Sequence, residues 1–161
     1  MGRAYSVTFD NVTVAGATTL VLIRPGTTAS IKVIRAWVAQ RANATSAQVG
    51  IHLFTQSASL PTTLTSATPA KLDLGSATSL ITGGTSGTAG TCGLNAATEV
   101  TGTRVVILSD CFNALNGWLW VPGPRDEIVV PASSSSAFAM AFPAAPGTLT
   151  NWSGGVVFQE L

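Results

Sequence analysis

Charged side chains are scarce in this chain of 161 residues. It holds eight lysines and arginines and seven aspartates and glutamates, so charged residues make up 9% of the sequence and the net charge is +1. An ordinary soluble domain is about 25% charged. Electrostatic binding of nucleic acid needs clustered basic side chains that neutralise phosphates, and the sequence has no such cluster. We therefore expect no nucleic-acid partner.

Long apolar runs, helical patterns and cysteine are also in short supply. No run approaches the roughly 18 apolar residues of a membrane-spanning helix, so we expect no membrane partner. The first six residues lack the apolar core of a secretory signal. The two cysteines, Cys92 and Cys111, are therefore expected to be reduced and packed, with a disulfide between them as the alternative.

The chain is instead rich in hydroxyl groups, turn residues and alternating patterns. It contains 22 threonines, 15 serines, 16 glycines and 8 prolines, which is typical of strands and turns. Apolar residues alternate in nine segments: 5–14, 19–24, 31–40, 47–55, 104–109, 117–121, 127–130, 137–142 and 155–159. Turn dipeptides such as Pro25-Gly26 separate them. This spacing predicts an all-β sandwich or barrel of about eight or nine strands, with residues 1–161 as one domain.

Two of these segments carry further information about which face is apolar. The apolar parity flips between Phe9 and Val12, which predicts a bulge or break there. The apolar residues of segment 31–40 that share one parity, and are expected to share one face, are Ile31, Val33, Trp37 and Ala39.

Residues 56–103 interrupt the strand pattern with serine, threonine, glycine and proline. A segment without an apolar face has nothing to bury, so we expect an insertion-like excursion over the surface. Residues 72–74 and 79–81 are expected to tether it. The glycine-rich run 82–90 contains no lysine, which excludes a P-loop, and is expected to be a flexible loop.

Few residues have side chains suited to catalysis or metal binding, and their spacing favours neither. His52 is the one histidine, and no nucleophile elbow accompanies it. One histidine and two distant cysteines match no zinc-site spacing. Asp126 and Glu127 are adjacent, and neighbours on a strand point to opposite faces. We predict no catalytic residue, no metal site and no cofactor.

Three of the tryptophans are candidates for contact with a ligand if they are exposed. Trp118 and Trp120 share one parity of a short strand, and we favour a core position for both because tryptophan is buried on average. A pair of exposed indoles that stack on a ligand is the alternative. Trp152, near the last turn, is expected to be the exposed indole.

The last third of the chain carries a recognisable pattern. Phe112-Asn113 and Gly117-Trp118 are followed by a proline-rich turn at 122–125 and the short strand 127–130. With the opening at 5–12 and the ending at 149–160, the chain resembles a family of small structural proteins of tailed bacteriophages. Cys111 stands where the family pattern has a small residue, and the glycine-rich run is longer than typical.

This resemblance implies a jelly-roll β-sandwich that decorates and cements a capsid without enzymatic activity. Such a protein would lie on the exterior of the virion and assemble in the host cytoplasm. Its partners would be the major capsid protein, whose neighbouring subunits it bridges, and itself, as a homodimer or homotrimer. The expected contact residues are Gly2, Arg3, Ala4, Tyr5, Thr82, Gly83, Gly84, Thr85, Ser86, Gly87 and Trp152.

Two other functions stay open at this point. A carbohydrate- or receptor-binding jelly roll would use exposed tryptophans, with Trp118, Trp120 and Trp152 as the candidates. A small hydrolase or isomerase would need His52 together with the acidic pair. For the glycine-rich run, plain disorder is the alternative to a capsid contact.

Overall fold

The computed structural model describes residues 3–42, 45–100 and 102–161, which form strands and turns without a helix. No helix in these ranges is therefore long or apolar enough to cross a membrane. The strands are β1 (Arg3–Val12), β2 (Thr18–Arg24), β3 (Ile31–Gln40), β4 (Gln48–Ser57), β5 (Thr65–Ser66), β6 (Ala70–Lys71), β7 (Thr82–Gly83), β8 (Thr91–Leu94), β9 (Thr103–Asn113), β10 (Trp118–Trp120), β11 (Ile128–Val130), β12 (Ala137–Phe142) and β13 (Trp152–Glu160). All nine predicted segments are strands.

The strands form two sheets packed face to face. The first sheet has the order β10, β3, β13, β1, β6, with β11 also paired to β3. The second has the order β5, β8, β2, β12, β4, β9, with the short β7 added to β8. The long strands thus run β10–β3–β13–β1 and β2–β12–β4–β9, all antiparallel, which is the arrangement of a jelly roll. The predicted all-β jelly-roll sandwich is confirmed.

Aromatic rings close one part of the core between the sheets. The rings of Phe142 and Trp152 meet edge to face with centroids 4.9 Å apart, and Phe112 meets Trp152 at 6.2 Å. Trp152 is fully buried, and its Nε1 donates to the carbonyl of Thr148 at 2.8 Å. The expected exposure of Trp152 is wrong because it has the same strand parity as Phe158, which also faces the core.

Bulges decide which side chains face that core. The register of β1 on β13 shifts between Phe9 and Val12, as the parity flip predicted. In β3, Val33 pairs with Phe158 and Arg35 pairs with Val157, so Ile34 is an extra residue. The parity reverses beyond it: the buried residues are Ala36 and Val38, whereas Trp37 is half-buried and Ala39 is exposed. The expectation that Trp37 and Ala39 share a face with Val33 is wrong.

The excursion, residues 58–100, folds back over the outer face of the second sheet. Leu60, Leu64 and Ala96 form an apolar cluster there with Leu22 and Phe54 of the sheet. The expectation that this segment has no apolar face is therefore wrong. Because the excursion covers this face, β12 is buried at all six of its positions.

Candidate interaction surface

The excursion also extends both sheets along one side of the sandwich, which we call the closed side. β6 pairs with β1 at the edge of the first sheet, while β5 and β7 pair with β8 at the edge of the second. Tyr5 Oη donates to the carbonyl of Ala77 at 3.0 Å. Glu160 Oε1 accepts from Ser79 Oγ at 2.6 Å and from the amide of Leu80 at 2.9 Å. The chain itself therefore covers these edges.

The glycine-rich run is hydrogen-bonded into the closed side. The amide of Leu64 donates to Thr85 O at 2.9 Å, and the amide of Gly84 donates to Cys92 O at 2.9 Å. Thr82 and Thr85 are exposed, while Gly83, Gly84, Ser86 and Gly87 are half-buried. The expected flexible loop is wrong, because the run is hydrogen-bonded to Leu64 and Cys92 and its first two residues form β7 of the second sheet.

Close packing explains why this run is rich in glycine. A Cβ atom on Gly84 would lie 2.7 Å from Thr91 Cβ, and one on Gly87 would lie 2.6 Å from Leu60 Cβ. Carbon atoms in contact normally lie about 3.5–4.0 Å apart. Glycine is thus required here for the approach of the excursion to its neighbours rather than for flexibility.

The predicted N-terminal contact residues lie at the same side. Arg3 is exposed and Ala4 is half-buried, and the amide of Leu72 donates to Ala4 O at 3.1 Å. Tyr5 is fully buried with its ring 5.8 Å from that of Phe158, so its expected role as a surface contact is wrong. Gly2 lies outside the described residues.

Trp152 lies far from these N-terminal residues. Arg3 pairs with Glu160 at one end of β13, whereas Val12 pairs with Trp152 at the other. The two pairs are separated along β13 by a distance of about 26 Å, at about 3.3 Å per residue. The structure therefore does not bring Trp152 together with the other predicted contacts.

On the opposite side of the sandwich, which we call the open side, the described residues form no such cover. Its edges are β9 in the second sheet and β10 with β11 in the first, and Trp118 Nε1 links them by donating to Asp110 Oδ2 at 3.0 Å. Of the twelve exposed large apolar side chains among the described residues, seven lie here: Val105, Val106, Ile107, Leu115, Leu119, Val121 and Val129. Clustered exposed apolar side chains mark interaction surfaces.

Three of these residues lie at a bulge in β9. Leu53 of β4 pairs with Leu108, and Phe54 pairs with Val106, so Ile107 is an extra residue. Side chains on either side of a bulge no longer alternate simply between the faces. Val105, Val106 and Ile107 are exposed by 59%, 48% and 48%, within a strand whose residues are exposed in succession from Thr103 to Ile107 and again from Ser109 to Cys111.

The tryptophans of β10 face inward. Trp118 and Trp120 are half-buried and pack against the core cluster, so the favoured core position is confirmed. Leu119, between them, points outward and is 64% exposed. β10 therefore presents an aliphatic side chain, rather than paired indoles, to the solvent.

Trp37 is an aromatic residue of the outer face of the first sheet that the sequence pattern placed on the opposite face. A Cβ atom on Gly155 would lie 2.9 Å from the Trp37 ring, which shows that this indole lies against the first sheet over Gly155. Leu119 is the register partner of Trp37 on β10. The adjacent glycines Gly154 and Gly155 in β13 are the feature of the sequence that could have indicated this contact. A glycine inside a strand often marks the close approach of another residue.

The two cysteine thiols lie on different sides of the sandwich and differ in their exposure to solvent. Both cysteines are free: Cys92 is buried in β8 at the closed side, and Cys111 is exposed in β9 at the open side. Burial raises the pKa of Cys92 to about 12. The expectation of packed thiols is confirmed for Cys92 and wrong for Cys111, whose β-edge position leaves it in solvent.

The residues that an enzyme would need do not converge. His52 lies on the second sheet in register with Ser109, while Asp126 and Glu127 precede β11 of the first. Hydrogen bonds from the amides of Glu127 and Arg125, together with Lys32 at 3.5 Å, hold the pKa of the Glu127 carboxyl below its usual value. Among residues 3–42, 45–100 and 102–161, no group of three or more His, Cys, Asp or Glu is placed to hold a metal ion.

A pocket of about 430 Å³ lies between the β1–β2 connection and the excursion. At its wall, the Glu99 carboxylate accepts from Thr19 Oγ1 at 3.0 Å and from Arg104 Nη2 at 2.7 Å. Asn95 Oδ1 is buried nearby without a hydrogen-bond partner among the described residues. Because Glu99 is bound internally, the pocket presents amide and hydroxyl groups rather than a free charge.

Comparison of the chain with protein-family models, with curated proteins and with solved structures found no match. The resemblance to phage structural proteins therefore stays a prediction from the residues that carry it.

Proposed function

We propose that the chain is a non-enzymatic virion structural protein that decorates and cements a phage capsid by bridging neighbouring major capsid subunits. One observation supports this most strongly. The residues that carry the family resemblance in the last third of the chain form β9, β10 and β11, and these strands hold most of the exposed large apolar side chains of the open side. The resemblance and the uncovered side thus fall on the same residues.

The outer face of the first sheet at the open side is suited to contact the capsid. Leu119 and Val129 are 64% and 49% exposed, and Trp37 lies beside Leu119. Apolar and aromatic side chains form the centres of protein interfaces, where desolvating a charge is costly. With 9% charged residues overall, the chain has little to desolvate.

Bridging requires a second contact surface, and the closed side supplies the candidates. Arg3, Thr82 and Thr85 are exposed there and stay predicted contacts. Leu72 and Leu80 of the excursion are also exposed. A copy attached through its open side to one subunit would present this side to a neighbouring subunit.

Reconstitution on capsids that lack the chain tests the proposal. Leu119→Glu should lower occupancy at least about tenfold without a change in Tm, because it places a charge at an apolar contact. The matched control is Leu149→Glu: Leu149 is 42% exposed in the connection between β12 and β13, outside both proposed contact surfaces, so this variant should attach like the wild type. Occupancy should also change little between about 0.05 M and 0.5 M salt, since exposed charges are the ones that salt screens.

The proposal fails if virions from the source of the chain do not contain it. Mass spectrometry of purified particles should detect the chain, and cryo-electron microscopy should place it on the outer shell. Absence from the particles, or equal loss of occupancy for both glutamate variants, would overturn the assignment.

A second candidate, a carbohydrate- or receptor-binding module, is favoured by Trp37 alone. Its indole lies over Gly155 on the outer face of the first sheet, and an aromatic ring on a sheet face suits stacking against a sugar ring. Titration with a glycan panel should then change tryptophan fluorescence in the wild type and not in Trp37→Phe. No response to any glycan would remove this candidate.

A further inference from the structure

Two asparagines lie where β9 leads into β10, and their side chains differ in how they are held. Asn113 is half-buried: its Nδ2 donates to Ser46 Oγ at 2.6 Å, and its Oδ1 accepts from the amide of Leu115 at 3.0 Å. Asn116 is exposed, and its side chain makes no hydrogen bond with the described residues. The side-chain amide of Asn116 is therefore free to move and to react.

The residues that follow the two asparagines differ as well. Ala114 follows Asn113, and its amide donates to the carbonyl of Ala47 at 2.9 Å. Gly117 follows Asn116, and its amide has no acceptor among the described residues. Gly117 has a φ of 70°, which favours glycine, and the absence of a Cβ atom leaves its nitrogen open to the preceding side chain. Asn116-Gly117 is the one Asn-Gly pair in the sequence.

We propose that Asn116 is a site of spontaneous modification, at which the side-chain amide is converted to a carboxylate. The Gly117 nitrogen attacks Asn116 Cγ and loses its proton, while the bond from Cγ to Nδ2 breaks and Nδ2 leaves as ammonia. Water then opens the resulting five-membered imide at one of its two carbonyl carbons. The product is aspartate, or isoaspartate when the main chain is left running through the former side-chain carbonyl. The only co-reactant is water, and nothing is oxidised or reduced.

The other asparagines are less suited to this reaction. Each of them precedes a residue with a Cβ atom, which crowds the approach to the following amide nitrogen. Asn95 precedes Ala96, whose amide is also engaged, since it donates to the carbonyl of Thr19 at 2.9 Å. Asn151 precedes Trp152, which is fully buried. The structure thus restricts the reaction to the turn before β10.

The modification changes the open side and leaves the closed side as it is. The turn joins β9 to β10, which are edge strands of the two sheets on that side. A new carboxylate there cancels the formal net charge of +1. The isoaspartyl form also adds one carbon atom to the main chain shortly before Trp118, whose Nε1 is bound to Asp110. The reaction needs no capsid, so this proposal and the proposed function can fail independently.

Peptide mass spectrometry of the chain aged in mildly alkaline buffer tests the proposal. Trypsin cleaves after Arg104 and Arg125, so one peptide carries both Asn113 and Asn116, and Asn113 is the internal control. Because the turn is exposed, Asn116 should be converted in the native chain at a rate within about threefold of that in guanidinium. Asn113 should stay an amide in the native chain. A native Asn116 that stays intact while the unfolded chain is converted, or equal conversion of Asn113, would overturn the proposal.

Asn116→Gln is the matched variant, since it keeps an amide but would have to form a six-membered ring. Its side chain replaces one without hydrogen bonds to the described residues, so the fold should be unchanged. On ion-exchange chromatography, the aged wild type should acquire a more acidic species that the aged variant lacks. The same acidic species in Asn116→Gln would show that the new charge arises elsewhere and would contradict the assignment.

Discussion

The closed and open sides of this sandwich differ in how their edge strands are covered. On both sides, the outermost long strand of each sheet has one row of backbone groups that no other long strand pairs. On the closed side, the excursion adds β5, β6 and β7 to the edges and seals them with Tyr5 and Glu160. On the open side, β9 and β10 end the sheets with exposed aliphatic residues. The difference shows which side the chain covers by itself and which side the described residues leave uncovered.

The largest expected difference between the sides concerns a pair of residues in register. Phe54 is buried under the excursion, and Val106 is its exposed neighbour on β9. Phe54→Ala should lower the free energy of unfolding by about 3–5 kcal/mol through loss of core packing. Val106→Ala should change it by about 0.5 kcal/mol or less. Urea unfolding measures both, and equal effects would show that the excursion does not cover this face.

Thiol reactivity provides the next comparison. The pKa of Cys92 rises from 9.0 to about 12 on burial, which lowers its thiolate fraction about 1,000-fold. An alkylating reagent should therefore modify Cys111 rapidly and leave Cys92 unmodified in the native protein, as mass spectrometry of the peptides would show. Both should react in urea. Fast native labelling of Cys92 would mean that the closed side opens readily.

Glycine substitutions test the packing of the glycine-rich run directly. Gly87→Ala should destabilise the fold by about 1–3 kcal/mol, because the new Cβ atom overlaps Leu60. Gly16 has no atom within 4 Å of a Cβ position, so Gly16→Ala is the matched control and should not destabilise. Thermal unfolding distinguishes them. If Gly87→Ala were as stable as the control, the run would be a flexible loop after all.

The smallest effects on stability are expected when the pH is lowered. The loss of stability from a carboxyl group should be similar on the two sides. Hydrogen bonding from Ser153 and the nearby Arg41 guanidinium hold the pKa of Asp10, on β1, below its ordinary value of 3.8. The pKa of Glu127, at the open side, is also lowered. A carboxyl group whose pKa falls on folding stabilises the protein above its unfolded-state pKa, and this contribution is lost as the pH falls through the folded-state pKa.

Asp10→Asn and Glu127→Gln should therefore each reduce slightly the drop in Tm between about pH 5 and about pH 2. Asp126→Asn is the control, since Asp126 is exposed and its carboxylate accepts no hydrogen bond from the described residues. A much larger effect on one side would show that ionic contacts, rather than apolar cover, distinguish the two sides.

The sequence pattern predicts the strands well because alternation is local. It locates all nine predicted strands and the slip near Asn11, where the parity change is visible in the residues themselves. The bulge at Ile34 escapes prediction because one inserted residue in an apolar run leaves the composition unchanged. Trp37 is consequently predicted on the wrong face.

The glycine-rich run shows a different limit. Its composition is that of a linker, and only the positions of Leu60 and Thr91 reveal that its glycines are needed for close packing. The prediction for Trp152 is wrong because nearness to a turn says less about exposure than strand parity does. The sequence indicates the open side only through residues that resemble a family, since exposure on both sheet edges depends on the tertiary arrangement.

The central claim is that the chain covers one side of its sandwich and leaves the other for a partner. Amide hydrogen exchange in the chain alone, at low concentration, tests this most directly. The amides of Leu64, Gly84 and Ala96, which are hydrogen-bonded within the closed side, should exchange slowly. The amides of β9 that do not face β4 should exchange fast. Rapid exchange throughout the excursion, or protection of both edges of β9 in the monomer, would contradict the account.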